Sequence, residues 1–214
     1  MKTKKIIGII LFTVLLFSTG FSITNMISAP TEGTLLVKSD YLLMTLQCVL
    51  GLFLIILPSV IEKRFSLEIP NKMTVLFYIF LYCAIYLGEV RQFYYIIPHW
   101  DSVLHGFSGA MLGFSGFLVV RIFNDSDNIS VNLSPLFVAI FAFCFALALG
   151  TVWEIYEFSG DGLFSLNMQK YRLADGTQLI GRAALVDTMK DIIIDAIGAL
   201  TVSVTGYFFI KKKQ

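Results

Sequence analysis

Three aspartates recur at four-residue intervals in a long apolar run near the C-terminus: Asp187, Asp191 and Asp195. In an α-helix, side chains four residues apart lie on one face, so the three carboxylates form a stripe. Like charges one turn apart repel each other, so a cation must lie among them or some of them must be protonated. An ionised aspartate that faces lipid costs about 2 to 3 kcal/mol or more. The stripe is therefore predicted to face the protein interior and to serve a function.

A carboxylate and an imidazole lie one helical turn apart further upstream, in Asp101 and His105, and Ser108 follows on the same predicted face. Such a pair can ligate a metal ion together, or the aspartate can orient the histidine as a general base. The structural alternative is an aspartate that caps the helix and a histidine that forms a hydrogen bond to a neighbouring helix.

Two glutamates, Glu154 and Glu157, are three residues apart at the end of another apolar run. On a helix this spacing brings both carboxylates within reach of one cation or one proton. They could instead mark the point where the helix leaves the membrane. Glu154 lies one turn deeper and is the stronger candidate for a site.

His105, Glu154 and Asp191 are each expected about one turn inside the outer end of a span, on three different helices. Burying them separately would require three sets of partners, whereas one shared cavity satisfies them together. We therefore predict that they converge on one polar cavity. The predicted catalytic residues are Asp101, His105, Glu154 and Asp191, and the predicted metal ligands are His105, Glu154, Asp187, Asp191 and Asp195.

The cofactor that this residue set favours is a divalent metal cation. The chain contains only 2 histidines, which excludes a zinc site built from histidine alone. A carboxylate-rich shell favours magnesium, calcium, manganese or a mixed zinc site. The cofactor is otherwise unknown.

The elements that must position these residues are transmembrane helices. The chain is 57% hydrophobic and 14% charged, with a mean hydropathy of +0.78, so its polar side chains are too few to coat a water-soluble globule. Runs of about 20 apolar residues, the length needed to cross a bilayer, occur near 6–27, 41–61, 73–90, 102–123, 135–157 and 186–210. The prediction is an all-α bundle of six transmembrane helices in a single membrane domain over residues 1–214. Whether the first run is a retained anchor or a signal peptide stays open, with the anchor favoured.

The orientation of the bundle follows from the basic residues of the loops. With both termini in the cytoplasm, ten Lys and Arg residues lie inside and six outside. Loops near 29–40, 91–101 and 158–183 are then extracytoplasmic, and loops near 62–72 and 124–134 are cytoplasmic. This predicts a multi-pass protein of the bacterial plasma membrane with its acidic groups gathered at the outer face.

The polar motifs of the second half resemble those of the YjdF-like family of small bacterial integral membrane proteins. The motifs are Trp100-Asp101 with His105 and Ser108-Gly109, Trp153-Glu154 with Glu157-Phe158, and Asp187-Thr188-Met189 with Asp191, Asp195 and Gly198-Ala199. The resemblance implies a helical membrane fold and a membrane location, and it implies no particular activity. More loosely, an Asp and a His that open one helix, a Glu on a second and an Asp followed by Gly on a third are similar to VanZ-like envelope proteins.

Several function classes remain open at this point. The leading hypothesis is an outward-facing intramembrane site that binds a divalent cation and binds or acts on an envelope lipid or a lipid-linked precursor. The alternatives are a small proton-coupled transporter and a noncatalytic partner of envelope machinery. A net charge of only +1 gives no indication of nucleic-acid binding. The lipid bilayer is the expected partner, while the substrate, the oligomeric state and whether the protein is an enzyme stay open.

Overall fold

The computed structural model describes residues 2–32, 36–66, 68–124 and 133–212. The described chain is built from eight α-helices and one π-helix. In chain order these are α1 (Lys2–Ser28), α2 (Lys38–Leu54), α3 (Leu57–Phe65), α4 (Asn71–Leu81), the π-helix (Tyr82–Val90), α5 (Phe93–Ile96), α6 (Trp100–Asn124), α7 (Pro135–Phe164) and α8 (Arg182–Lys211).

Six helical segments are long and apolar enough to cross a bilayer, which confirms the predicted all-α, six-span fold. They are Thr3–Ser28, Lys38–Phe65, Asn71–Val90, Trp100–Asn124, Pro135–Phe164 and Arg182–Lys211. Large apolar side chains on their surfaces, such as Phe17 at 75% exposure, are explained by contact with lipid. The orientation of the termini stays a prediction, and positions 125–132 of the predicted cytoplasmic loop lie outside the described residues.

The helices extend beyond several of the spans predicted from hydropathy. Helix α7 continues to Phe164 and α8 begins at Arg182, so the connection predicted over 158–183 is reduced to residues 165–181. Hydropathy marks where apolar side chains end, whereas a helix continues for as long as its backbone hydrogen bonds are maintained. Glu157 and Asp187 therefore lie within helices rather than at their ends.

The chain separates into two compact units, which we describe in turn. Unit 1 consists of Met1–Asp101 and Phe158–Ala184, and unit 2 consists of Ser102–Glu157 and Leu185–Gln214. The single membrane domain expected from the sequence stays a prediction.

The core of unit 1 is formed by apolar side chains of α1, α2, α4 and the π-helix. Leu15 and Cys48 are fully buried there, together with Leu11, Tyr78 and Ile85. The hydroxyl of Tyr78 donates a hydrogen bond of 3.1 Å to the carbonyl of Ile55, at the break between α2 and α3. This contact satisfies a polar group that would otherwise be costly inside an apolar core.

The third span of unit 1 ends in nine residues of π-helix, Tyr82–Val90. The backbone N–H of Arg91 donates to the carbonyl five residues earlier, at 2.8 Å, as this wider helix requires. At Gly88 a β-carbon would overlap the ring of Tyr94, so glycine permits the close approach of the following segment. Turns of π-helix occur frequently at functional sites, and Glu89 lies within this one.

Unit 2 is held together by close backbone contacts at glycines. A β-carbon on Gly109 would overlap the backbone of Asp195, and one on Gly198 would overlap the carbonyl oxygen of Gly106. Gly116 lies against Ala142 in the same way, so α6 packs closely on both α7 and α8. Small residues at helix interfaces are the usual means of close packing in membranes. The result is that polar side chains on these three helices are brought near one another.

Candidate functional site

Four ionisable side chains are buried inside unit 2. His105 on α6 is 8% exposed, Glu154 on α7 is 3% exposed, and Asp191 and Asp195 on α8 are each 2% exposed. The glycines of α6 and α8 allow the helix axes to approach closely enough for these side chains to meet. Ionisable groups within spans are expensive to bury, so such a concentration marks a candidate site.

The imidazole of His105 is held by Asp195. Its Nδ1 atom lies 3.2 Å from Oδ2 of Asp195, and the hydroxyl of Ser108 donates a 2.9 Å hydrogen bond to the other carboxylate oxygen. An ionised Asp195 can only accept hydrogen bonds, so this contact is a hydrogen bond when the ring proton is on Nδ1. Nε2 lies on the opposite side of the ring.

Glu154 faces that opposite side of the imidazole. Its Oε1 atom lies 3.9 Å from Nε2 of His105, a distance that permits electrostatic attraction but is too long for a hydrogen bond. Gly150, one turn earlier on α7, leaves room for the carboxylate of Asp195, since a β-carbon there would lie 2.6 Å from Oδ2. The ring of His105 is thus placed between two carboxylates from different helices.

The same histidine belongs to a group of residues that could hold a metal ion. Asp101, His105 and Asp191 each offer one ligand atom, and these atoms lie within 4.8 Å of one another. Asp101 is carried by α6, one turn before His105. Two carboxylates and one imidazole form a donor set that divalent cations accept.

His105 lies close to both Asp195 and Glu154. His105 and Asp191 each contribute an atom to the group of possible metal ligands. Asp187, one turn before Asp191, is only partly buried and does not belong to that group within the described chain. Glu157 accepts a 2.9 Å hydrogen bond from Nε1 of Trp153 on its own helix. The catalytic and metal-binding roles assigned to these residues from the sequence stay predictions.

Two further ion pairs, in unit 1, involve residues that the sequence analysis does not place in a site. Arg172 lies 2.6 Å from Asp40, and Lys170 lies 3.0 Å from Glu89. The basic partners alternate with apolar residues in the connection between α7 and α8, which indicates a segment folded against the protein. The sequence contains no signal for their partners, because each acid is more than 80 positions away in the chain.

The fold and the buried group define a class of protein: a multi-pass α-helical membrane protein with an acidic and histidine group within its helices. In a bacterium, such a protein resides in the plasma membrane. The family described as "Predicted membrane protein (DUF2238)" matches residues 7–212, and the chain belongs to this family.

A protein of Thermotoga maritima described as "Uncharacterized protein" is similar to this chain. It is 25% identical over 163 residues, which cover 71% of this chain and 73% of the relative. No solved structure matches the chain. The expectation of an uncharacterised bacterial membrane family is confirmed by these comparisons.

Proposed function

We propose that the group around His105 binds a divalent cation, and that the loaded site binds or acts on a phosphate-bearing lipid of the cell envelope. The observation that carries the proposal is the group of three ligand atoms, from Asp101, His105 and Asp191, within 4.8 Å of one another. Carboxylates this close repel each other, and a divalent cation removes the repulsion. Because His105 and Asp191 are buried, they are shielded from the water that would otherwise compete for the ion.

The surroundings of His105 support metal binding. Nδ1 lies 3.2 Å from a carboxylate oxygen of Asp195, close enough for that carboxylate to hold the ring in one orientation. A carboxylate behind a ligating histidine is the usual arrangement in metal sites, because it fixes the ring and raises its basicity. Glu154, on the Nε2 side, can supply a further oxygen. The mixture of nitrogen and oxygen donors favours manganese or zinc over magnesium or calcium.

The lipid part of the proposal rests on where these residues are carried. His105, Glu154 and Asp191 all belong to segments that can span a bilayer. A molecule that reaches such residues from within the membrane is a lipid, and a divalent cation polarises phosphoryl or carbonyl oxygens. If the predicted orientation holds, the site opens near the outer face, where envelope lipids and lipid-linked precursors are processed.

A proton-coupled carrier is the second candidate function, and one observation favours it. The imidazole of His105 lies between Asp195, at 3.2 Å, and Glu154, at 3.9 Å. A histidine between two buried carboxylates can pass a proton from one to the other. In this reading the carboxylates are members of a relay and no metal is required.

The decisive experiment is metal analysis of the purified full chain in detergent, before and after loading with manganese or zinc. The chain has only 2 histidines, so His99→Asn is a matched control for His105→Asn. His99 is exposed and has a φ of 62°, a conformation that asparagine tolerates. We expect the wild type and His99→Asn to retain about one ion per chain, and His105→Asn to bind about tenfold more weakly or worse.

Equal metal binding by His105→Asn, or no retained metal in the loaded wild type, would contradict the metal proposal. Proton flux in metal-free proteoliposomes then separates the remaining functions. Flux that is lost in Glu154→Gln supports the carrier, and absence of flux in the wild type supports a noncatalytic partner of envelope machinery.

A further inference from the structure

A polar cavity lies within unit 1. Its volume is about 380 Å³, within the range of about 300 to 1,000 Å³ that is typical of small-molecule sites. Asp40, Glu89 and Arg172 line it, together with the polar side chains of Gln92 and Tyr95. The cavity therefore combines charges of both signs in a space large enough for a small ligand.

The charges of this cavity come from two ion pairs with a shared arrangement. Both acids, Asp40 and Glu89, are carried by helical spans, and both bases, Arg172 and Lys170, are carried by the connection 165–181. The four charged side chains are only 13% to 20% exposed. Interactions between charges with so little contact with water are stronger than those on an open surface.

The connection that carries the bases is fixed by a network of hydrogen bonds. The side chain of Asn167 accepts a 2.8 Å bond from the backbone N–H of Arg172 and donates bonds to the carbonyl of Arg172 and to the hydroxyl of Tyr95. At the end of α7, Asp161 accepts bonds from the backbone N–H groups of Met168 and Gln169. The backbone of Arg172 is therefore fixed in place, so its guanidinium is preorganised for binding.

Lys170 keeps its charge in this setting. Burial is the largest single influence and acts to lower the pKa of its ammonium, but the attraction of Glu89, Tyr95 and Asp101 together raises the pKa above its ordinary value. The ammonium also lies 4.5 Å from the centre of the Tyr94 ring, which adds a cation–π contact. Glu89 therefore faces a permanent positive partner on one side and the cavity on the other.

Both signs of charge retain hydrogen-bonding capacity toward the cavity. A guanidinium has five N–H donors, and in the described chain Arg172 uses Nη2 on Asp40 and has no other side-chain hydrogen bond. Glu89 likewise uses Oε1 on Lys170, and its Oε2 has no hydrogen-bond partner among the described residues. A ligand that carried only one sign of charge would meet a like charge on the other wall, which repels it.

We propose that this cavity binds a small zwitterion with an ammonium group and an oxyanion, of the phosphoethanolamine type. The oxyanion accepts hydrogen bonds from Arg172, and the ammonium donates to Glu89, with Gln92 and Tyr95 as neutral partners. Such a ligand pairs with the positive and the negative side chains of the cavity at the same time. It could be a free metabolite or the headgroup of a phospholipid.

The test is binding of phosphoethanolamine to the purified full chain, measured by equilibrium dialysis with labelled ligand. Arg172→Gln and Glu89→Gln are expected to weaken binding about tenfold or more, because each leaves one charge of the ligand without its partner. Arg182→Gln is the matched control, since Arg182 is exposed and does not line the cavity. Ethanolamine alone and inorganic phosphate alone should each bind much more weakly than the zwitterion.

Removal of an ion pair could also unfold the protein, so a second variant tests the cavity with both ion pairs intact. Ala174 lines the cavity and belongs to neither ion pair, so Ala174→Phe is expected to reduce the space while leaving Asp40–Arg172 and Glu89–Lys170 in place. Loss of binding in this variant, with thermal stability unchanged, supports the cavity as the site.

The two sources of the ligand are distinguished with nanodiscs of phosphatidylethanolamine and of phosphatidylglycerol, followed by native mass spectrometry of the lipids retained. Selective retention of the ethanolamine lipid identifies a headgroup, and saturable binding of the free compound alone identifies a metabolite. Either result supports a zwitterion site. The proposal is overturned if wild type binds neither form, or if Ala174→Phe binds as the wild type does.

Discussion

His105 is the side chain through which the buried charges of unit 2 interact. Its two ring nitrogens face different carboxylates, Asp195 at 3.2 Å and Glu154 at 3.9 Å. The shorter contact is strengthened by Ser108, which donates a hydrogen bond to Asp195 and so helps to orient that carboxylate. The orientation of the ring is thus set before any ligand arrives, which is a requirement of both metal binding and proton transfer.

The role of Asp195 as the residue that orients His105 can be tested against a matched aspartate on the same helix. Asp195→Asn removes the charge that holds Nδ1, and we expect metal affinity to fall about 10- to 100-fold, the range typical for loss of a group that orients a ligand. Asp187→Asn, two turns earlier and only partly buried, should have a smaller effect. Competition with a chromogenic chelator measures both affinities. An equal loss in the two variants would show that Asp195 has no special relation to His105.

At the scale of helices, the site depends on residues that have no side chain. α6 approaches α7 and α8 closely enough to bring the ionisable groups together only because glycines stand at the contacts. Gly150 in addition leaves space beside the carboxylate of Asp195. The polar group and the glycines are therefore parts of one arrangement, and a change at either is expected to disturb the other.

A substitution at Gly198 tests this dependence. In Gly198→Ala the new methyl group overlaps the carbonyl oxygen of Gly106 and lies 3.0 Å from the backbone nitrogen of Ala110, so the helices must separate. We expect a loss of about 1 to 3 kcal/mol in the free energy of unfolding, as for other overpacked interiors. Gly162→Ala on α7 is the control, because a β-carbon there meets nothing within 4 Å. Thermal unfolding in detergent gives both values, and equal behaviour would argue against close packing at Gly198.

Helical periodicity allows the buried face of a helix in unit 2 to be predicted from the sequence. Spacings of four residues put Asp191 and Asp195 on one face, and an ionisable face within a span must turn inward, so their burial follows from the pattern alone. The pairing of His105 with Asp195 at Nδ1, rather than with another acid, does not follow, because it depends on how far each helix is rotated and displaced.

The ion pairs of unit 1 could not be predicted in this way. Lys170 and Arg172 lie in an irregular connection, where no periodicity indicates the direction of a side chain. Their acids are 81 and 132 positions away, so the pairing depends on the tertiary structure. The end of α7 and the start of α8 could not be predicted either, because hydropathy shows where apolar residues stop and not where helical hydrogen bonding stops.

At the scale of the whole molecule, charge is distributed unevenly over a largely apolar chain. Buried charged groups occur in both units: His105 with Asp195 in unit 2, and the pairs Asp40–Arg172 and Glu89–Lys170 in unit 1. The surfaces of the spans otherwise carry exposed apolar residues that suit a lipid environment. For a membrane protein, what such polar features can bind depends on the side of the membrane from which they are reached, so orientation is the property that connects the sites to function.

The predicted orientation can be tested with single cysteines in a background from which Cys48, Cys83 and Cys144 have been removed. The ten-to-six bias of basic residues places the C-terminal Lys211 and Lys212 inside and the connection 165–181 outside. A membrane-impermeant maleimide should therefore label a cysteine at position 175 in intact cells, and one at position 212 only after permeabilisation. A cysteine at position 126, in the predicted cytoplasmic loop, should behave as position 212 does. Labelling of 126 and 212 but not of 175 from outside would reverse the topology and remove the argument for an outer-face lipid, while the metal and zwitterion proposals would still stand on their own contacts.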